Sequence, residues 1–239
     1  MNKKELVTKY QGLVGFACRV YNLGNCFRVK KMGNNNRIIA PCGLLSKTSI
    51  RINGSNNTVV IGEFARLKGA SICINGSFNH IAIGSWSYLG GTDLFIEDDG
   101  GSIVIGPRTK FLGQTHLAVI EGTSITIGED CLFSSDIQVR TGDSHSILDM
   151  QGCRINGSEN VVIGDHVWVG TKAFLNKGAR VPSHSIVGAC ALVTKAFEEP
   201  NCVLAGVPAK VVKKDVDWSI RRIPVGEMAA DFVPPVIEE

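Results

Sequence analysis

The 239-residue chain is 44% hydrophobic and 20% charged with a net charge of +3, ordinary for a soluble globular protein and too weakly basic to offer a broad field to a nucleic-acid backbone. Its eight cysteines are dispersed without a CxxC pair or clustered histidines, which excludes a zinc knuckle or a redox motif and reads as reduced core residues of a cytoplasmic protein. No stretch approaches the roughly 20 apolar residues of a membrane span, and Arg19 interrupts the short apolar run near the start, which argues against a signal peptide.

Residues 3 to 21 carry Leu6, Val7, Tyr10, Leu13, Val14, Ala17, Val20 and Tyr21 at helical spacing, with Lys3, Lys4, Lys9 and Arg19 on the other side. The spacing predicts an amphipathic helix that covers the open end or the flank of the structure that follows. Residues 1 to 31 also hold seven Lys or Arg against Glu5 alone, so a helix lying on a membrane surface is the less favoured alternative.

From Asn34 a repeat of 22 residues sets in: Ile39-Ala40, Ile61-Gly62, Ile83-Gly84, Ile105-Gly106 and Ile127-Gly128. The 27 glycines and recurrent Asn-Gly turns favour tight corners over long helices. A coil of three hexads takes 18 residues, so each early coil has an extra turn of four. The INGS stretches at Ile52 to Ser55 and Ile74 to Ser77, and EDDG at Glu97 to Gly100, supply residues suited to it. The next step, Ile127 to Ile163, is 36 residues, and the register fails after about Val139. This predicts one ordinary coil plus a loop of about eighteen residues in TGDSHSILDMQGCRINGSEN, and loops on a rigid scaffold are where function tends to sit.

Val161 to Glu198 then reads in unbroken sixes, with an aliphatic residue at 163, 169, 175, 181, 187 and 193 and small residues at Ala173, Ala179, Ser185 and Ala191. A period of six fits neither a helix nor an alternating strand. It fits a chain that turns a corner every six residues, a parallel β-helix of hexapeptide repeats. After Lys195 the pattern frays, a short helix is expected around Asp215 to Arg222, and the last stretch is Pro-containing and weakly patterned. The expected division is therefore 1–36 for the helix and lead-in, 37–205 for the β-helix with its loop at about 140–160, and 206–239 for an extension.

The segment IGDHVWVGTKAFLNKGARVPSHSIVGACALVTK followed by AGVPAKVVKK resembles the hexapeptide-repeat acyltransferases, left-handed β-helix enzymes that use acetyl-CoA. The loop GDSHSILD, ahead of the Trp of HVWVG, is most similar to the branch of sialic acid capsule and O-antigen O-acetyltransferases. The resemblance implies a mainly β protein: a left-handed parallel β-helix with an N-terminal helix and a short C-terminal helix or tail. It implies a homotrimer, acetyl-CoA as co-substrate, a sugar or polysaccharide hydroxyl as acceptor, and direct transfer without an acyl-enzyme. His145 matches the family's general base, a role imidazole suits because it titrates near neutral pH. Asp143, Asp165 or a backbone carbonyl would orient it. Trp168 matches a wall of the donor tunnel, and Thr171, Ala189, Thr194 and Lys195 match positions that hold pantetheine and the nucleotide end. Lys195, Lys210 and Lys213 offer point charges to CoA phosphates, and a backbone N–H near Gly170 is the expected oxyanion donor.

His166 and His184 lie 18 residues apart at equivalent hexad places, stacked and outward, but the γ-class carbonic anhydrases, which share the fold this resemblance implies, use three histidines with a close pair, and no metal is expected. The alternatives are an N-acetyltransferase acting on a nucleotide-linked amino sugar, for which residues 1 to 36 offer too short a nucleotide-sugar domain, and a β-helix scaffold without catalysis. A serine acetyltransferase would carry a long helical N-terminal domain.

Overall fold

The structure is a computed structural model that describes residues 11–229. Three parallel sheets form the faces of a prism. Face A runs through eight strands from Arg28–Met32 to Leu192–Val193, and face B through seven from Arg37–Ile39 to Arg180–Val181. Face C starts at Leu44–Ser46, reaches Val203–Gly206, and closes with the antiparallel strand Ala209–Lys213. The chain visits A, B and C in turn, so each residue pairs with its counterpart one coil later.

That register converts the sequence repeats into an interior. On face B, Ile61, Ile83, Ile105, Ile127, Ile163 and Val181 stack in one buried column. On face C, Leu67, Leu89, Phe111, Phe133, Val169 and Val187 do the same, with the two phenylalanine rings stacked at 4.3 Å. Each such side chain contributes about 1.5–3 kcal/mol by leaving water. All six hexad aliphatics and all four small residues of the later coils are buried, as the period of six requires.

The extra residues of the early coils lie at the A-to-B edge. Face A strands there span five residues, as in Ser49–Asn53, against two in Phe174–Leu175. Gly54 and Gly76 turn the corner at φ 139° and 145°. The first step departs from the expected 22: Ile39 pairs with Val60, so it is Ile38 that packs against the core while Ile39 faces out. Leu44 nevertheless pairs with Arg66, so the intervening corner is one residue shorter than its successors. The 36-residue step is one coil, because Ile127 pairs directly with Ile163 and residues 141–160 leave the prism as a loop.

The N-terminal helix α1 (Gln11–Gly24) packs on the first coil, while residues 3 to 10 of the expected helix lie outside the described residues. Its buried face is not the apolar stripe of the sequence. Cys18 and Asn22 turn inward, and Leu13, Val20 and Tyr21 are exposed. The reason is Asn22, whose side chain donates to Gly43 O and accepts from Leu45 N, satisfying the open edge of the first face C strand as no apolar side chain would. No helix among the described residues is long and apolar enough to cross a membrane.

Two further expectations need correction. Residues 215–222 are an irregular strap rather than a helix. Val216 exchanges hydrogen bonds with Asn201, and the Trp218 indole donates to His166 O at 2.8 Å, so tertiary partners override the local pattern. Of the eight free cysteines, Cys26, Cys153 and Cys190 are exposed, on corners and in the loop, and only the rest are wholly or partly in the core. Burial pushes the Cys131 thiol up to about 12, leaving it protonated and inert.

Candidate active site

His145 sits in the loop thrown out at the A-to-B edge between the strands Ile137–Arg140 and Val161–Ile163. The loop is held at three points. Lys177 reaches Asp143 Oδ2 at 2.5 Å, and buried Asn156 donates to both Asp143 Oδ2 and His145 O while accepting from Ile147 N. Arg154 pairs with Glu121, which also accepts from Ser158. Lys177, and then Asn156, hold the Asp143 carboxyl below its ordinary range. Arg154, followed by Ser158, lowers Glu121 to about 2. The loop is thus an anchored platform, and His145 stands exposed on it.

Asp143 does not orient the imidazole through a hydrogen bond. Its carboxylate is taken by Lys177 and Asn156, and only its carbonyl meets His145, at the backbone N–H. Asp165 accepts from Glu129 N on the B-to-C edge, a different corner of the prism. Among the described residues the His145 ring has no hydrogen-bond partner.

Trp168 projects outward from face C, 39% exposed, with its indole N–H donating to Ser134 Oγ at 3.3 Å and its ring 6.1 Å from that of Trp218. Thr171 and Ala189 lie one above the other at the C-to-A edge, joined through Cys190 N to Thr171 O. Their own backbone N–H groups make no hydrogen bond among the described residues, which leaves two donors at that edge. Lys210 lies opposite Ala205 on the closing strand of face C, and Lys213 opposite Val203. Gly170 is not free to donate, since its N–H already bonds Val187 O at 2.7 Å in the inter-coil ladder. Thr194 and Lys195 fall elsewhere, on the A-to-B edge with His145, where the Lys195 ammonium lies 5.3 Å over the Phe197 ring. Within one chain the candidate residues therefore fall into two groups on two edges.

His166 and His184 are stacked on adjacent coils, ring centroids 5.2 Å apart, and the strap brings Asp217 to both. Donor atoms of the three lie within 4.8 Å of one another, a set able to hold a cation. They are engaged with the protein instead: His166 Nε2 meets Trp218 O at 3.0 Å beneath the stacked indole, and His184 Nδ1 meets Asp217. The trio works here as a clasp for the strap. Sequence spacing found the histidine pair but not Asp217, which comes from beyond the repeat.

No family model matches the chain. The solved structure of the polysialic acid O-acetyltransferase OatWY is 31% identical, covers 85% of this chain and 95% of its own, and superposes with a TM-score of 0.76. This chain belongs to the hexapeptide-repeat acyltransferases. Within that family it falls in the sialic acid and O-antigen O-acetyltransferase branch, and its prism is their left-handed β-helix. The polysialic acid-specific acetyltransferase NeuO agrees, at 29% identity, 84% and 92% coverage and a TM-score of 0.75. Among curated sequences, the polysialic acid O-acetyltransferase of Neisseria meningitidis is 33% identical over 82 residues, 34% of this chain and 38% of that protein. The chain spans between 26% and 38% of the length of the curated relatives it matches.

Three further features of the candidate site escaped the sequence reading. Asn156 was hidden in a third INGS stretch, Lys177 in an ordinary hexad, and Trp218 in a segment that looked helical. Only the INGS repetition was a signal available beforehand.

Proposed function

We propose that this protein moves an acetyl group from acetyl-CoA to a hydroxyl of an acidic sugar or surface polysaccharide, as a homotrimer. The observation that carries the reading is the division of the candidate residues between two edges. His145 with Thr194 and Lys195 occupies one, and Thr171 with Ala189 the other, bordered by Trp168 and Lys210 on face C. A complete site then requires the loop edge of one copy against face C of the next, and closed threefold symmetry generates three such sites.

In this reading the pantetheine lies along the C-to-A edge, its amides paired with the Thr171 and Ala189 N–H groups, and the lysines meet the phosphates. The acceptor hydroxyl attacks the thioester carbonyl carbon while the His145 imidazole takes its proton. The C–S bond then breaks, and the thiolate leaves with that proton. Trp168 walls the thioester off from water. No side chain is acylated, in keeping with a Cys131 thiol that burial keeps protonated. An N-acetyl transfer would use the same geometry. The O-acetyl reading is favoured by likeness to polysialic acid O-acetyltransferases over more than four-fifths of the chain.

The decisive experiment is thiol release from acetyl-CoA in the presence of oligosialic acid, O-antigen oligosaccharides and nucleotide-linked amino sugars. Thiol release with the first or second class supports the proposal. Turnover confined to the amino sugars would replace it.

A further inference from the structure

We propose that the prism edge on the N-terminal side of Trp168 is an acceptor track that binds successive units of an anionic glycan, through Phe64, Trp86 and Tyr88 with Arg66, Lys68 and Lys110. The proposal rests on the acetyl-transfer reading for its direction and on separate observations for its chemistry.

Phe64 and Trp86 occupy equivalent B-to-C corners on consecutive coils, with rings stacked at 4.6 Å and Trp86 52% exposed. Both hold left-handed backbone, φ 57° and 65°. The corner itself requires that conformation, but Asn, Asp or Gly supplies it at lower cost, and a bulky side chain there costs on the order of 1–3 kcal/mol. Buried packing does not compensate Trp86, so the aromatic pair serves something outside the prism. Beside it lies a cavity of about 470 Å³ lined by Phe64, Trp86, Tyr88, Arg66, Lys110 and Leu44, among others. Flat aromatic faces over a shallow open groove suit the C–H faces of pyranose rings.

Charge selects among sugars. Arg66, Lys68 and Lys110 are exposed and have no acidic partner among the described residues. Arg108, one coil on, is by contrast already paired with Asp130 and Glu129. Three unpaired cations along an aromatic strip match a polymer with a carboxylate on each unit.

The track leads to the reaction site. Arg66, Tyr88, Lys110, Leu132 and Trp168 form one outward row on face C, each paired with the next. Coils repeat at about 4.8 Å, comparable to the length of one sugar unit, so Tyr88 lies about 14 Å from Trp168. Residues assigned to CoA all follow Trp168 in the stack. The N-terminal side is therefore the side from which an acceptor chain arrives.

The test uses the full chain and α2,8-linked sialic acid oligomers of graded length, with neutral dextran as control. Transfer efficiency of the parent protein is expected to rise with oligomer length. In Trp86→Ala that rise is expected to be lost, about a tenfold deficit on the longest acceptors that shrinks as the acceptor shortens. Lys110→Glu, a surface change with no packing role, is expected to give the same pattern, and dextran to bind neither protein. An equal effect at all lengths, or none, would overturn the proposal. So would a change in subunit number of Trp86→Ala by sedimentation, because the pair would then be a contact between copies. If the parent protein transfers nothing but binds the polymer in a Trp86-dependent way, the track stands and the acetyl-transfer reading falls.

Discussion

The tetrapeptide INGS occurs three times in this chain, and the third occurrence does a different job from the first two. At Ile52 to Ser55, Ile52 is fully buried and Asn53 donates to Asn75 of the next repeat at 2.8 Å. Gly54 lies so close to the following coil that an added Cβ would stand 1.9 Å from Gly76 O. At Ile155 to Ser158, Ile155 is 63% exposed, Asn156 is buried beneath the loop, and a Cβ on Gly157 would meet nothing within 4 Å. The early stretches stack on copies of themselves; the late one has no copy one coil away, so its asparagine turns to Asp143 and His145 instead. Identical local sequence is closed into the scaffold where the repeat continues, and is released to hold the projecting loop where it stops.

The largest expected contrast is catalytic. Replacing His145 by Ala should lower kcat by about 10²–10⁴ while acetyl-CoA binding, read by calorimetry, persists. An unchanged kcat would remove the loop from the chemistry. Next comes Gly76→Ala, which combines a left-handed φ with a Cβ 2.0 Å from Asp98 O. It should cost about 2–5 kcal/mol in chemical denaturation, whereas Gly157→Ala should stay within about 0.5 kcal/mol. Similar losses at the two glycines would break the comparison.

The paired asparagines sharpen it. Asn79 accepts from Gly101 N and donates to Asp98 O within the scaffold, so Asn79→Ala should lower stability by about 1–3 kcal/mol with kcat little changed. Asn156→Ala should act mainly on kcat, because its partners belong to the His145 platform. Melting temperature and turnover measured on both variants separate the cases, and a mainly thermal effect of Asn156→Ala would make the loop part of the scaffold.

The smallest effect is the response to acid. Glu121 and Asp143 have folded-state pKa values below their ordinary ones, so their hold on the loop is complete above the ordinary carboxylate range and fades only as pH falls through the depressed values. For Glu121 that window runs from 4.5 down to about 2. Amide protection of residues 143–158 should therefore be the same at pH 7 and pH 5. Loosening across that interval would mean that some other group anchors the loop.

Much of the prism was legible in the sequence because its signal is periodic. Every buried hexad aliphatic follows from the rule that a coil of fixed length returns each residue to its own column. The 36-residue step gave the loop for the same reason, by violating the period. Ile39 and the buried face of α1 were misread where the period has no purchase, although the helix itself packs on the first coil as expected. One short corner moved Ile39 outward, and an unpaired strand edge drew Asn22 in against the helix's apolar stripe. Of the candidate site, motif and resemblance proposed His145 and Trp168, but nothing local predicted that Lys177, Asn156 and Asp217 would meet their loop or their neighbours.

The sequence by itself therefore determined the column each residue occupies, since in a parallel coil that depends only on counting along the chain. Tertiary structure alone decided which polar groups are spent holding the molecule together and which are left for chemistry. Hydrogen bonds such as Gly170 to Val187, or His184 to Asp217, depend on what the next coil or the strap brings within reach.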